Sequence, residues 1–131
     1  MEESDVKSQS EVVCALFDVT EMQAVNDRRG YEFGNRLLND IEVKLKSVFT
    51  SAVVRRLGGD EFIVRQAKGD FAALERKAQA VAQAIDDEFG IALSCGLGAG
   101  ATTNEAELAA TIDLFQNRRC TSREMEKWDR V

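Results

Sequence analysis

Hydrophobic positions along the chain fall into short continuous runs and longer periodic stretches, and their order predicts an architecture. Glu11-Val-Val-Cys-Ala-Leu-Phe17 is almost wholly apolar, the pattern of a strand buried on both faces, with Asp18 at its carboxyl end. Asp18 to Gly30 is polar, with one amphipathic turn around Met22 and Val25. From Tyr31 the period changes: Phe33, Leu37, Ile41, Leu45 and Val48 recur every three or four residues, one face of a helix that ends near Phe49. Val53-Val-Arg-Arg-Leu57 and Glu61-Phe-Ile-Val-Arg65 read as two short strands, and Gly58-Gly59-Asp60 between them is a hairpin signal.

The second half repeats the scheme. Asp70 stands at an N-cap position before Phe71, Leu74, Ala78, Val81, Ile85 and Phe89, a second amphipathic helix with Gly90 where a C-terminal glycine belongs. Ile91-Ala-Leu-Ser-Cys-Gly-Leu97 is a fourth strand. Thr102 and Glu105 have capping-box spacing and open a third helix, with Leu108, Ile112 and Phe115 as its expected apolar face. The charged tail from Arg118 to Val131 fits either a helix extension or a last short strand. The order β-α-β-β-α-β plus a helix is the ferredoxin-like α+β arrangement, an antiparallel sheet with helices expected on one face. Strands one and three are then central neighbours. Residues 1–10 read as a disordered lead and 11–131 as one compact domain.

Composition narrows the function. With 131 residues the chain is long enough for one domain that buries roughly two thirds of its unfolded surface. A net charge of −6 argues against long nucleic acid as a partner, while a small phosphorylated ligand needs only local cations or a metal. No apolar run approaches the ~20 residues of a membrane span, and the polar, acidic start is not a signal peptide. Cys14, Cys95 and Cys120 have no CxxC spacing, so reduced thiols and a cytoplasmic location are expected. Histidine is absent, which leaves acid–base and metal chemistry to carboxylates.

The topology brings Asp18, at the end of strand one, beside the hairpin that carries Gly58, Gly59, Asp60 and Glu61. Two or three carboxylates converging with no cation between them are costly unless a metal neutralises them. Mg²⁺ suits such a site, because it takes oxygen ligands and keeps positions for substrate phosphates. Two glycines beside the acids let a phosphate or ribose approach the backbone.

These residues carry a family resemblance. Leu57-Gly-Gly-Asp-Glu-Phe-Ile63 resembles the signature of GGDEF domains, the diguanylate cyclases. Phe17-Asp-Val, then Val25-Asn-Asp-Arg-Arg-Gly30 and Gly34, resembles the family's first motif, and Ser94-Cys-Gly-Leu-Gly98 resembles its later Ser-x-Gly strand. The resemblance spans about residues 11 to 118. It implies a palm-like fold and the joining of two GTP molecules into cyclic di-GMP with release of pyrophosphate. It implies Mg²⁺ or Mn²⁺ held by Asp18, the Val19 carbonyl and Asp60, with Glu61 supporting metal or nucleotide. Gly58 and Gly59 would lie against the nucleotide, Asn26 and Asn35 would face the base, and Arg118 would replace a triphosphate-binding Lys. One site holds one nucleotide, so a transient homodimer is implied.

Departures from the family pattern define the alternatives. The family's opening segment has no counterpart, Gln23 stands for a phosphate-binding Lys, Tyr31 for a His, and Asn35 for an Asp that contacts guanine. Phe49 and Ala52 occupy the positions of the inhibitory Arg-x-x-Asp site. With no sensory domain in the sequence, control is expected from a regulatory protein partner in trans, from substrate supply or from expression. The leading expectation is a nucleotide cyclase using GTP with ATP admitted. The alternatives are a module that binds GTP or a cyclic dinucleotide and signals by contact, and a minimal palm polymerase making adenine-containing cyclic nucleotides.

Overall fold

The computed structural model describes residues 11–117; the lead at 1–10 and the tail from 118, with Arg118, Cys120 and Trp128, lie outside the described residues. The elements are β1 (Val12–Val19), α1 (Met22–Arg29), α2 (Tyr31–Val48), β2 (Val53–Arg56), β3 (Glu61–Ala67), α3 (Phe71–Phe89), β4 (Leu93–Gly100) and α4 (Thr103–Asn117). All strand pairs are antiparallel, in the order β2-β3-β1-β4, so β1 and β3 are central as expected.

Local chemistry sets the boundaries. The Asp70 carboxylate accepts hydrogen bonds from the Ala72 and Ala73 N–H groups at 3.0 and 3.4 Å, capping α3. Gly90 ends that helix in the left-handed region at φ 68°. Thr102 Oγ1 accepts from the Glu105 N–H, and Glu105 reaches back to the Ala101 N–H, a capping box closed one residue early. Asp18 to Gly30 holds more structure than a turn. Met22 and Val25 pin the eight-residue α1, and Gly30 at φ 91° breaks it from α2.

The sheet separates two unequal clusters. Val13, Ala15, Phe17 and Val19 point into the main core with Leu37, Ile41 and Leu45 of α2 and Leu74, Ala78, Val81 and Ile85 of α3. Cys14 and Leu16, on the opposite face, form a smaller cluster with Ile63, Ala106 and Ala110, with Val12 and Leu114 partly buried beside them. Helices therefore cover both faces: α1 to α3 one, α4 the other. This corrects the expectation of helices on a single face.

A second correction concerns which side of α4 is inward. Leu108, Ile112 and Phe115 are 62%, 46% and 87% exposed, whereas Ala106, Ala110 and Asp113 are buried. The cause lies in β4. Gly96, Gly98 and Gly100 alternate along one face, and a Cβ on any of them would fall 2.2–2.6 Å from atoms of α4. The helix lies backbone-close on that glycine stripe, and only small residues fit at the contact. Asp113 then serves the sheet edge, its carboxylate accepting from the Leu97 N–H at 2.8 Å. That N–H belongs to edge strand β4, so the contact covers an otherwise open donor.

Candidate functional site

The β1–β3 register pairs Asp18 with Glu61, and the β1–β4 register pairs Asp18 with Ser94. Directly opposite residues share a sheet face, so all three lie on the α4 side. The Val19 N–H donates to the Asp60 carbonyl at 3.1 Å. That makes Val19/Asp60 a hydrogen-bonded position and Asp18/Glu61 the non-hydrogen-bonded one, where Cα atoms approach to about 4.5 Å and side chains lie closest. The reciprocal bond from the Asp60 N–H to the Val19 carbonyl is missing. Asp18 is half-buried, and Glu61 is exposed at the rim. Thr20 fixes the chain as it leaves β1, with both its N–H and its hydroxyl donating to the Ala92 carbonyl.

The hairpin has a brace that the sequence reading missed. The Arg56 guanidinium donates to the Gly59 carbonyl at 2.9 and 3.2 Å and to the Gly58 carbonyl at 3.4 Å. The Leu57 N–H closes the loop on the Glu61 carbonyl at 2.8 Å. Neither Gly58 nor Gly59 has positive φ, and a Cβ on either would meet nothing within 4 Å. Neither conformation nor packing thus demands glycine at these two positions, and open space lies in front of the backbone. A cleft of ≈ 180 Å³ beside the hairpin is lined by Leu57, Glu61 and Ile63 on one side and Glu107, Thr111 and Leu114 of α4 on the other.

Asn26 meets α2 at Gly34 across the α1–α2 contact. The Asn26 Oδ1 rests where a Cβ on Gly34 would stand, 2.1 Å from it, so glycine at 34 makes room for the amide. Asn35 is the next residue and is exposed. Phe49 is 2% exposed within the core, so its position presents no side chain to ligand, while Ala52 packs against the same cluster. Larger hollows of ≈ 530 and ≈ 370 Å³ lie elsewhere, around Arg28, Arg29, Phe33 and Phe89 and around Arg36 and Phe33; neither includes Asp18, Asp60 or Glu61. Arg118 lies outside the described residues.

Among the described residues no three Asp, Glu, His or Cys side chains form a group that holds a metal by themselves. The arrangement offers facing carboxylates and a backbone carbonyl, a donor set whose remaining positions fall to substrate oxygens or water. Cys14 and Cys95 are buried and are not joined in a disulfide. Burial, with Glu107 adding and Arg65 opposing, pushes the Cys14 thiol up to about 12, which makes it an inert core residue rather than a nucleophile.

A four-stranded antiparallel sheet with an acidic strand end facing a Gly-Gly-Asp-Glu hairpin defines a palm-like α+β domain. The chain matches the family described as "Diguanylate cyclase, GGDEF domain" over residues 1–118, and it belongs to that family. The GGDEF domain of DgcB from Caulobacter crescentus, solved in complex with c-di-GMP, superposes with a TM-score of 0.74 at 14% identity, over 89% of this chain and 77% of that one. The diguanylate cyclase SiaD from Pseudomonas aeruginosa, solved with its activator SiaC, superposes at 0.71 with 23% identity, over 89% of this chain and 49% of that one. In sequence, the chain is 32% identical over 95 residues to the cyclic di-GMP phosphodiesterase PdeR of Escherichia coli (strain K12), covering 68% of this chain and 14% of PdeR. The chain thus spans a small part of that relative's length. No helix among the described residues is long and apolar enough to cross a membrane.

Proposed function

We propose that this GGDEF domain is a metal-dependent nucleotide cyclase that joins two purine nucleoside triphosphates into a cyclic dinucleotide and releases pyrophosphate. The observation that carries this reading is the narrow Asp18/Glu61 pair beside Gly58 and Gly59, whose backbone faces open space. Two carboxylates set directly opposite each other destabilise a sheet unless a cation sits with them. Asp18, Asp60 and the Val19 carbonyl would hold Mg²⁺ or Mn²⁺, an oxygen set suited to ions that keep positions for phosphate. When bound, the metal supplies Lewis acidity, lowering the pKa of the attacking 3′-hydroxyl and neutralising the departing pyrophosphate.

The chain's own groups do the rest in this reading. Glu61, across the strand pair from Asp18, would support the metal or the nucleotide. Gly58 and Gly59 admit the triphosphate to the backbone, and Arg56 holds their loop in shape. Asn26 and Asn35 face the base, and Arg118 supplies a phosphate cation. Each site binds one nucleotide, so catalysis requires a transient two-fold homodimer with its active edges opposed, and specific activity rises with protein concentration. Regulation by a protein in trans has a precedent in SiaD, solved with its activator SiaC.

Asn35 bears on the base. A carboxylate accepts both donors of the guanine Watson–Crick edge, whereas an amide offers one acceptor and one donor group, the match for adenine. GTP is therefore accepted with ATP admitted, and Asn35→Asp is expected to shift preference toward GTP by about 1–3 kcal/mol, read by GTP/ATP competition. A second reading, a module that binds GTP or cyclic dinucleotide and signals by contact, draws on Gln23 in place of the phosphate-binding Lys and on the likeness to a phosphodiesterase. Incubation of the purified protein with Mg²⁺ or Mn²⁺ and each NTP, alone and in pairs, separates the two. Cyclic dinucleotide identified by mass supports the cyclase; nucleotide binding without product supports the module.

A further inference from the structure

Ser94 is fully buried, and its hydroxyl has no hydrogen-bond partner. A buried hydroxyl without a partner is a liability in a folded protein, because it has given up water and gained nothing. Packing alone does not call for it. Along the same face of β4, Gly96 and Gly98 lie against the α4 backbone. Ser94 is the next residue on that face. Space there admits a Cβ, and alanine would fill it without the orphaned oxygen.

Its neighbour explains the hydroxyl. Ser94 is the β4 partner of Asp18. The Thr20 N–H bonds to the Ala92 carbonyl, and bonded positions recur every second residue, so Asp18/Ser94 is also a hydrogen-bonded pair with Cα atoms about 5.5 Å apart. Asp18 therefore has Glu61 on one side and the Ser94 hydroxyl on the other, all on one sheet face. Glu61 brings a like charge and Ser94 brings a donor.

We propose that Ser94 is a positioning residue for Asp18: its Oγ–H donates to one carboxylate oxygen of Asp18 once a divalent cation and nucleotide triphosphate engage the other. Carboxylates that hold metals are themselves hydrogen-bonded, and the supporting donor fixes which oxygen faces the ion. In the metal-free chain the hydroxyl is held in reserve, at a cost in stability. The inference rests on the metal-site reading of Asp18 given above.

The two consequences have opposite signs, which distinguishes positioning from a structural role. The test uses the full chain with Mn²⁺ and α,β-methylene GTP, which cannot release pyrophosphate, and follows free Mn²⁺ by electron paramagnetic resonance. Ser94→Ala is expected to weaken Mn²⁺ binding by about 10- to 100-fold, the usual loss for a supporting donor. The metal-free Tm of the same variant is expected to stay or rise. Ser94→Cys, nearly isosteric with a weak donor, should follow Ser94→Ala in both readouts. Mn²⁺ affinity within threefold of wild type in Ser94→Ala overturns the proposal, as does a metal-free Tm that falls together with affinity. Asp18→Asn in the same titration tests the underlying reading separately. Loss of Mn²⁺ with Asp18→Asn but not with Ser94→Ala sinks only the role of Ser94, and a wild type that binds no Mn²⁺ sinks both.

Discussion

The two faces of the sheet use alternate residues of the same strand for different ends. Val13, Ala15, Phe17 and Val19 of β1 enter a core shared with three helices, in which Phe17, Phe62, Ile41, Leu45 and Ile85 are all but inaccessible. Cys14, Leu16 and Asp18 look the other way, into a thin layer of small residues under α4 that also holds Arg65, Glu107, Asp113 and Ser94. The first face is apolar and redundant. The second tolerates facing carboxylates, an orphaned hydroxyl and a half-buried ion pair, features that cost stability. A period-two strand lets one backbone be rigidly supported from behind while its front carries polar groups that would not survive in a deep core.

Substitutions on each face should therefore fail in different ways. Ile41→Ala, in the main core, is expected to cost about 2–5 kcal/mol of stability through lost burial and the cavity left behind, while the folded fraction keeps its nucleotide affinity. Denaturant unfolding alongside nucleotide titration checks both halves. On the other face, a Cβ on Gly98 would stand 2.3 Å from the Ala106 carbonyl oxygen and the Ala110 nitrogen, backbone atoms that move only if α4 lifts. Gly98→Ala is expected to destabilise by about 1–3 kcal/mol, with faster amide exchange confined to α4 and β4. Uniform exchange across the domain would show that α4 is not a separate layer.

Cys14 gives the smallest and most selective probe of the thin layer. Its folded-state pKa, about 12, lies above the 9.0 of an ordinary thiol, so its contribution to stability is complete below pH 9 and is lost as pH rises toward 12. In that window the unfolded chain has released a proton that the native one retains, and stability falls by at most about 1.4 kcal/mol per pH unit from this group. Cys14→Ala is expected to flatten the slope by that amount. Equal slopes in the two proteins would mean that the thiol is solvated.

Much of this contrast was legible in the sequence on one side only. The continuous run to Phe17, the three-and-four spacing of Phe33 to Val48 and of Phe71 to Phe89, and the capping residues Asp70 and Thr102 report burial of large side chains, which hydrophobic periodicity detects. The Gly58-Gly59-Asp60-Glu61 hairpin and its place beside Asp18 followed from topology, and the register bears out their adjacency. The α4 face was misread because its inward side is Ala106, Ala110 and Asp113, packed by backbone approach over Gly96, Gly98 and Gly100, whereas Leu108, Ile112 and Phe115 attract the eye and face out. The signal present in the sequence was the alternation of glycines in β4, not the apolar stripe in the helix. α1 was under-read because only two of its eight residues are buried. Arg56 was passed over as a strand residue, since its bonds to Gly58 and Gly59 depend on the loop turning back over it.

The cyclase reading depends on a metal held by Asp18 and Asp60 where β1 ends against the hairpin, independently of the core behind them. Asp60→Asn tests it most directly, with product formation from GTP and Mg²⁺ and thermal unfolding measured on the same sample. Asp60 lies in the hairpin loop outside both buried clusters, so Tm is expected to stay within about 2 °C, less than 1 kcal/mol in a domain of this size. Catalysis is expected to fall by about 10²–10³, roughly 3–4 kcal/mol in the barrier, the scale of removing a principal electrostatic element. Turnover within tenfold of wild type, at an unchanged Tm, would contradict the claim.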